Sequence, residues 1–264
     1  MATKLSGDTV SSLRGACSPS EWRTRVDLAA FYHLVDQHGW TDLIYNHISA
    51  RIPDEPGHYL VNPYGTLYEE ITASNLVKVD LESGAILSGE RDVETNIAAH
   101  DLHAPILAAR PNLQCVAHVH TPAIMAVSGM ADGLLPLTQT AMGFYKRVGF
   151  HEYGFGGDAC ERLARDFANC DTVILRNHGV MIGGRTIAEA YVQLHNFQMA
   201  CEAQVMLMAA GDRTTLPPQD ILDAHTSNFD RWLDRPGGPR DTEHCVEWNA
   251  VMRMLKRRGV QFDV

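Results

Sequence analysis

The order of apolar and polar positions along the chain predicts a mixture of helices and short strands. The first clear helix begins at Ser18, which has Glu21 three residues later, a pair typical of a helix N-terminus. Apolar residues then recur at helical spacing as far as Gly39, which ends the pattern. A second long pattern of the same kind covers 186–211, and shorter ones cover 94–110, 158–169 and 246–256.

Strand-like segments lie between these helices and are separated by turn residues. They are His47–Ile52, His58–Val61, Leu76–Val79, Gln114–His120 and Thr172–Arg176, with one more after Gly179. Strands and helices do not alternate strictly, so the pattern favours an α/β fold with a central, largely antiparallel sheet covered by helices on its faces. The sequence contains no glycine-rich nucleotide-binding motif.

The composition is that of a globular protein with its own core. The chain has 264 residues, 45% of them apolar and 20% charged, and a net charge of −10. Such a charge disfavours nucleic acid and anionic membranes as partners. No apolar run is long enough to cross a bilayer, and the N-terminus lacks the apolar segment of a secretion signal, so we expect a cytoplasmic protein.

The domain organisation that these patterns predict is simple. Residues 1–17 are expected to be a flexible lead, 18–211 a single main domain, and 212–264 a helical extension packed on the same domain. The six cysteines are scattered without any pair at metal-binding spacing, which favours buried apolar roles for them.

Three histidines have a chemical reason to be considered together. His118 and His120 stand two residues apart on a predicted strand, so their imidazoles share one face of the sheet. His178 follows an apolar strand and precedes a glycine, a position that allows convergence with a neighbouring strand. Three neutral imidazoles with open positions would form a catalytic type of metal site. The alternative is a polar strand face whose histidines are satisfied by hydrogen bonds.

Four longer segments carry a resemblance to a known family. The chain resembles the class II aldolase/adducin family, in its adducin-like bacterial branch, over about 18–211. The matching segments are NHISARIP at 46–53, VNPYGTLYEEITASNLVKVD at 61–80, LHAPILAARPNLQCVAHVHTPAIMAVS at 102–128 and VILRNHGVMIGGRTIAEAY at 173–191.

This resemblance implies a three-layer α/β/α fold and a divalent metal held by His118, His120 and His178. Zinc is the metal most often found in such sites, and manganese or iron also accept imidazole. The resemblance further implies a small-molecule substrate and a homotetramer whose active site lies near a subunit boundary. In that setting Tyr145 and Tyr153 are candidates for substrate contact, although surface packing would also explain them.

The sequence departs from the sugar-phosphate aldolases of the family at one informative place. Their catalytic glutamate matches Ala99, and their two phosphate-binding serines match Ile97 and Ala98. Two other phosphate-contacting positions are retained as Asn46 and Gly65, which we predict to bind substrate. Because the glutamate and both serine hydroxyls are lost, a sugar-phosphate aldolase is not expected, and the substrate is expected to lack a phosphate group.

A metal-dependent lyase is the expected activity. It would cleave a carbon–carbon bond of a small hydroxy or keto carbonyl or carboxylate compound, in the manner of an aldolase or decarboxylase, through a metal-stabilised enolate. His100 is the expected acid/base in place of the lost glutamate, and Asp101 is a second candidate.

Two other functions remain open at this point. Three histidines can hold iron with open positions, as a non-haem iron oxygenase requires. Alternatively, the chain is a non-catalytic, adducin-like interaction module that keeps its histidines for structural reasons.

Overall fold

The computed structural model of the chain describes residues 13–88, 94–95, 97–154 and 158–264. Its helices are α1 (Pro19–Gln37), α2 (Ile97–Ala109), α3 (Pro122–Ser128), α4 (Gln139–Met142), α5 (Ala159–Asp166), α6 (Ile187–Met208), α7 (Gln219–Asp234) and α8 (Val246–Arg257). Its strands are β1 (His47–Ile52), β2 (Glu55–Val61), β3 (Val77–Asp80), β4 (Ile86–Ser88), β5 (Cys115–Val119), β6 (Val148–His151), β7 (Thr172–Leu175) and β8 (Gly179–Gly184). Of the predicted flexible lead, residues 1–12 lie outside the described residues and 13–16 form a helical turn.

All eight strands join one sheet in the order β4-β3-β2-β1-β5-β8-β7-β6. Every neighbouring pair is antiparallel except β6 and β7, which run parallel. The predicted α/β class with a largely antiparallel sheet is therefore confirmed. None of the helices in the described ranges is long and apolar enough to cross a membrane.

Helix α1 begins and ends where the sequence pattern indicates. The side chain of Ser18 accepts a hydrogen bond from the backbone N–H of Glu21 at 3.0 Å, which satisfies one of the free donors of the first turn. Gly39 follows the helix with a φ of 69°, a left-handed conformation that glycine adopts without steric cost. The helix buries Phe31 and Leu34 completely in the core.

Helix α6, like α1, is capped at its N-terminus by a side-chain hydroxyl. The Thr186 side chain accepts a hydrogen bond from the N–H of Glu189 at 2.9 Å, which caps the first turn. The carboxylate of Glu189 in turn accepts from the N–H of Arg185 at 2.6 Å, one residue before the N-cap itself. Both backbone donors at this buried helix end are thus paired.

The sheet separates two apolar cores, and the alternation of side chains along β1 shows how. Ile48, Ala50 and Ile52 face the larger core, which also includes residues of α1, α6 and α8. His47 and Ser49 point to the opposite face, where α2 lies. Helices therefore cover both faces, and the three-layer α/β/α architecture that the resemblance implied is confirmed.

The C-terminal part of the chain packs on the same sheet as the rest. Trp248 and Leu255 of α8 belong to the larger core. Near the C-terminus, the carbonyl of Phe262 accepts a hydrogen bond from the N–H of Ala73 at 2.9 Å. These contacts fix the last helix against the body of the molecule.

Candidate metal centre

Three histidines converge at one end of the sheet, where β5 ends and β8 begins. His118 lies in β5, His120 follows the end of that strand, and His178 lies in the turn that joins β7 to β8. One ring nitrogen from each residue lies within 4.8 Å of the other two. The Nε2 atoms of His118 and His178 are 3.1 Å apart.

The backbone of the β7–β8 turn makes this convergence possible. Asn177 adopts a φ of 56°, which reverses the chain immediately before His178. Gly179 then passes so close to β5 that a Cβ atom there would lie 2.6 Å from the carbonyl oxygen of Val119. It would also lie 3.0 Å from the Cβ atom of His120. The absent side chain at residue 179 therefore allows the turn to approach the other two histidines.

The variant Gly179→Ala is expected to separate His178 from its two neighbours and to weaken metal binding by about 10-fold or more. The added methyl group meets backbone atoms, which cannot move aside as a flexible side chain could, so we also expect a loss of about 1–3 kcal/mol in the free energy of unfolding. Metal titration and urea unfolding measure the two effects. Gly57→Ala is the matched control, because no atom lies within 4 Å of a Cβ placed at residue 57. Equal metal affinity in the two variants would contradict this account of the turn.

Hydrogen bonds fix the tautomers of His118 in β5 and of His120 just after it. The Nδ1–H of His118 donates to the carbonyl oxygen of Val180 at 3.0 Å. The Nδ1 atom of His120 lies 2.9 Å from a carboxylate oxygen of Asp42, to which it donates. In the neutral form of each ring, the proton on Nδ1 leaves a lone pair on Nε2. Both rings are thus prepared to act as ligands through Nε2.

The electrostatic environment keeps the three imidazoles neutral. Burial lowers the pKa of His118 well below its usual value, and the neighbouring histidines lower it further. Burial also lowers the pKa of His120, although Asp42 acts in the opposite direction. The pKa of His178 falls to about 4, because of burial first and the proximity of His120 second. At neutral pH the rings therefore offer lone pairs rather than positive charges.

The donor set fits a divalent metal ion. Two ligand nitrogens on a tetrahedral zinc ion stand about 3.3 Å apart, which is close to the 3.1 Å between the Nε2 atoms of His118 and His178. Two lone pairs at that separation repel each other unless a proton or a cation lies between them. The group within the described residues contains three ligands and no fourth, which is the pattern of a catalytic rather than a structural site.

Two further features surround the cluster. Tyr153 stacks on the His178 ring with the centroids 4.0 Å apart and the planes 4° from parallel. Behind the cluster, the fully buried His103 is hydrogen-bonded to His47 at 2.9 Å and to Ser49 at 2.7 Å. The ring of His47 is 5.1 Å from that of His118. No local pattern in the sequence indicates this buried polar chain or the contact of Asp42.

The two predicted substrate-binding positions, Asn46 and Gly65, lie at the same end of the sheet. Asn46 immediately precedes β1 and is buried, with its side-chain N–H donating to the carbonyl of Trp40 at 3.1 Å. Among the described residues, its side-chain oxygen has no hydrogen-bond partner. Gly65 follows β2 and has a φ of 85°, with open space where a Cβ would lie. Their role in substrate binding stays a prediction.

The contacts of the predicted acid/base residues His100 and Asp101 and of Tyr145 do not include the three histidines in the described structure. His100 is hydrogen-bonded through Nδ1 to the hydroxyl of Tyr59 at 3.0 Å, and its ring lies against Gly84 between β3 and β4. Asp101 is exposed. The hydroxyl of Tyr145 donates to Gln219 at 3.3 Å. Within the part of the chain that the structure describes, no hydrogen bond or ring contact joins these residues to the three histidines, so their roles stay predictions.

A cleft of about 730 Å³ lies at the opposite end of the sheet. Its lining includes Arg51 at the end of β1, Gln114 before β5 and Arg185 after β8. The histidine cluster lies at the other ends of β5 and β8, so this cleft is separate from the candidate metal centre.

The fold and the three converging imidazoles define an α/β/α protein with a candidate catalytic metal centre, and comparison with known proteins gives the family. The chain belongs to the family described as class II aldolase and adducin N-terminal domain, whose model matches residues 26–205. A candidate class 2 aldolase of Caulobacter vibrioides is 38% identical over 252 residues, which cover 94% of this chain and 95% of that protein.

Two other similarities extend the comparison. Alpha-adducin of Rattus norvegicus is 42% identical over 267 residues, which cover 95% of this chain and 36% of the adducin. The chain thus spans about a third of the length of that relative. The crystal structure of an aldolase II superfamily protein from Pseudomonas syringae matches with a TM-score of 0.89 and 39% identity. That match covers 96% of this chain and all of the other.

Proposed function

We propose that the protein is a metal-dependent lyase that cleaves a carbon–carbon bond in a small hydroxy or keto compound without a phosphate group. The observation that carries this proposal is that one ligand atom from each of three neutral imidazoles lies within 4.8 Å of the other two. Among the described residues, no fourth ligand belongs to this group. Class II aldolases typically use a divalent metal, and the relative from Caulobacter vibrioides is named as a candidate member of that class.

His118, His120 and His178 would hold the cation, with zinc as the first choice and manganese or iron as alternatives. Bound there, a divalent cation supplies Lewis acidity toward the oxygen atoms of a substrate carbonyl or carboxylate. The Val180 carbonyl and the Asp42 carboxylate hold two of the rings in the ligand tautomer. Tyr153, stacked on His178, would limit the movement of the third ring and is our candidate for contact with a substrate.

The absence of phosphate in the substrate follows from the residues on α2. In the sugar-phosphate aldolases, a glutamate and two serines occupy positions that match Ala99, Ile97 and Ala98 here. An alanine cannot accept a proton, and the aliphatic side chains offer no hydroxyl to an anion. Asn46 and Gly65 remain as candidates for binding the uncharged part of the substrate.

The organisation of the active protein is also part of the proposal. We infer a single domain over 18–211 with the C-terminal helices packed on it, a homotetramer, and a cytoplasmic location. The packing of Trp248 and Leu255 in the larger core supports the first inference. The resemblance to the family supports the tetramer.

Removal of the metal is the experiment that tests the activity. Protein freed of metal with a chelator is expected to lose at least about 100-fold in turnover of hydroxy and keto acids, and to regain it with Zn²⁺, Mn²⁺ or Fe²⁺, because the ion supplies the electrophile. Turnover is followed without oxygen and again with oxygen. Cleavage without oxygen supports the lyase, whereas turnover that requires oxygen contradicts it in favour of an oxygenase.

One observation favours a second candidate function, a non-catalytic interaction module. The 42% identity to rat alpha-adducin covers 95% of this chain. A purified protein that binds no divalent metal and turns over no substrate in either assay would support that alternative.

A further inference from the structure

Asp42 is the carboxylate in contact with the histidine cluster. Its oxygen lies 2.9 Å from Nδ1 of His120, and no other ion pair or hydrogen bond between a carboxylate and the three histidines occurs in the described ranges. The position that carries a glutamate in the sugar-phosphate aldolases is Ala99 here, which is buried and has no charge. The negative charge beside the centre therefore comes from a different element, the loop between α1 and β1.

The loop that carries Asp42 has an uncommon backbone conformation at the residue after it. The next residue, Leu43, has a φ of 46° and a side chain that is 65% exposed. A bulky side chain rarely adopts this left-handed conformation, and such positions cluster at functional sites. His120, whose side chain is only 10% exposed, is thus held by a partner on a loop 78 residues earlier in the chain.

We propose that Asp42 is a positioning residue that holds His120 with its proton on Nδ1 and its Nε2 atom toward the cation. This inference rests on the proposed function, because it assigns Asp42 to the metal centre proposed there. A ligand histidine binds the metal through one ring nitrogen and carries its single N–H on the other. When that N–H donates to a carboxylate, the ring orientation is fixed and the ligand nitrogen becomes more basic. The Val180 carbonyl fixes the His118 ring in the same way, so Asp42 completes the orientation of these two neighbouring ligands.

Two substitutions separate the hydrogen bond from the charge. Asp42→Ala removes both and is expected to weaken Zn²⁺ binding by about 10–100-fold. Asp42→Asn retains an acceptor for the Nδ1–H but loses the charge, so a smaller loss is expected. Asp54→Ala is the matched control, because Asp54 is an exposed aspartate at the opposite end of the sheet. Zn²⁺ competition and the absorption bands of bound Co²⁺ report affinity and ligand geometry.

The tautomer of His120 gives a readout that needs no metal. Long-range proton–nitrogen NMR spectra of the metal-free protein are expected to show His120 protonated on Nδ1 in the wild type and in Asp42→Asn. In Asp42→Ala the proton is expected to redistribute to Nε2. Thermal unfolding midpoints of all variants should match, because the Asp42 side chain is 45% exposed.

The outcomes distinguish this proposal from the proposed function. Suppose the wild type binds Zn²⁺ at the cluster while both Asp42 variants bind it equally well, with unchanged Co²⁺ spectra. The positioning role is then overturned and the metal centre stands. If the wild type binds no metal but the His120 tautomer still depends on Asp42, the proposed lyase fails and the orienting contact stands. A tautomer that is the same in the wild type and in Asp42→Ala overturns the proposal whatever the metal does.

Discussion

Replacing His178 with alanine is expected to weaken the binding of Zn²⁺ by at least about 100-fold. The substitution removes one of three ligands from a group that has no fourth in the described residues, and loss of an outer-shell partner alone already costs about 10–100-fold. His178 is the best position for this test because it lies in a turn and is half-buried, so its removal leaves both sheet strands intact. Titration of the metal-free protein against a chromophoric chelator measures the affinity.

The matched control is His244→Ala. The His244 side chain is 75% exposed and lies 3.4 Å from Asp241, away from the three histidines, so its loss should leave Zn²⁺ affinity unchanged. Turnover should fall together with affinity in His178→Ala and remain at the wild-type level in the control. A folded His178→Ala protein that binds Zn²⁺ as tightly as the wild type would show that the ion binds elsewhere.

The variant Glu21→Gln is expected to lower the free energy of unfolding by about 3–5 kcal/mol. Glu21 and Arg25 form an ion pair at 2.8 Å with side chains 4% and 0% exposed. The guanidinium also donates to the carbonyls of Ala73 and Leu76, which ties α1 to the segment before β3. Removal of the carboxylate charge leaves a buried cation with neutral acceptors only, the two carbonyls and the Ser88 hydroxyl at 3.3 Å. In the wild type, the second carboxylate oxygen of Glu21 also pairs with Nζ of Lys78 at 3.0 Å, and this ion pair is lost in the variant.

Urea unfolding at neutral pH measures this loss, and Glu161→Gln provides the control. Glu161 lies 3.8 Å from Arg165 on α5 in a pair with side chains 79% and 62% exposed, and such pairs contribute less than about 1 kcal/mol. Zn²⁺ affinity of the folded Glu21→Gln protein should be unchanged, because the pair makes no contact with the histidine cluster in the described structure. Similar losses in the two variants would contradict the assigned role of the buried pair.

The long helices were predictable from the sequence because their ends carry local signals. Ser18 and Gly39 mark the limits of α1, and both act in the structure as their residue types predict. Helix α7 was missed because it lies in a largely polar segment and buries only Leu222 and Leu233. These two residues are 11 positions apart, about three helical turns, which is too sparse to mark a helix by itself. Strand β6 was also missed, since four residues with one buried side chain do not form an alternating pattern.

The candidate site was predictable in part. The two-residue spacing of His118 and His120 predicted a shared face, and the rings lie 5.2 Å apart. The approach of His178 depends on Gly179, whose contact with β5 is a tertiary property. Asp42 could not be found from a local pattern, because its contact with His120 spans 78 residues. His100 was chosen for its place in the chain next to Ala99, whereas its ring faces Tyr59.

The most direct test of the account is a crystal structure of the protein grown with Zn²⁺, with anomalous diffraction measured at the zinc edge. The account predicts one strong peak at about 2.0–2.2 Å from a nitrogen of each of His118, His120 and His178, with the remaining coordination positions filled by solvent. A structure in which the His178 ring is turned away from the other two, with zinc absent from the space between them, would contradict it.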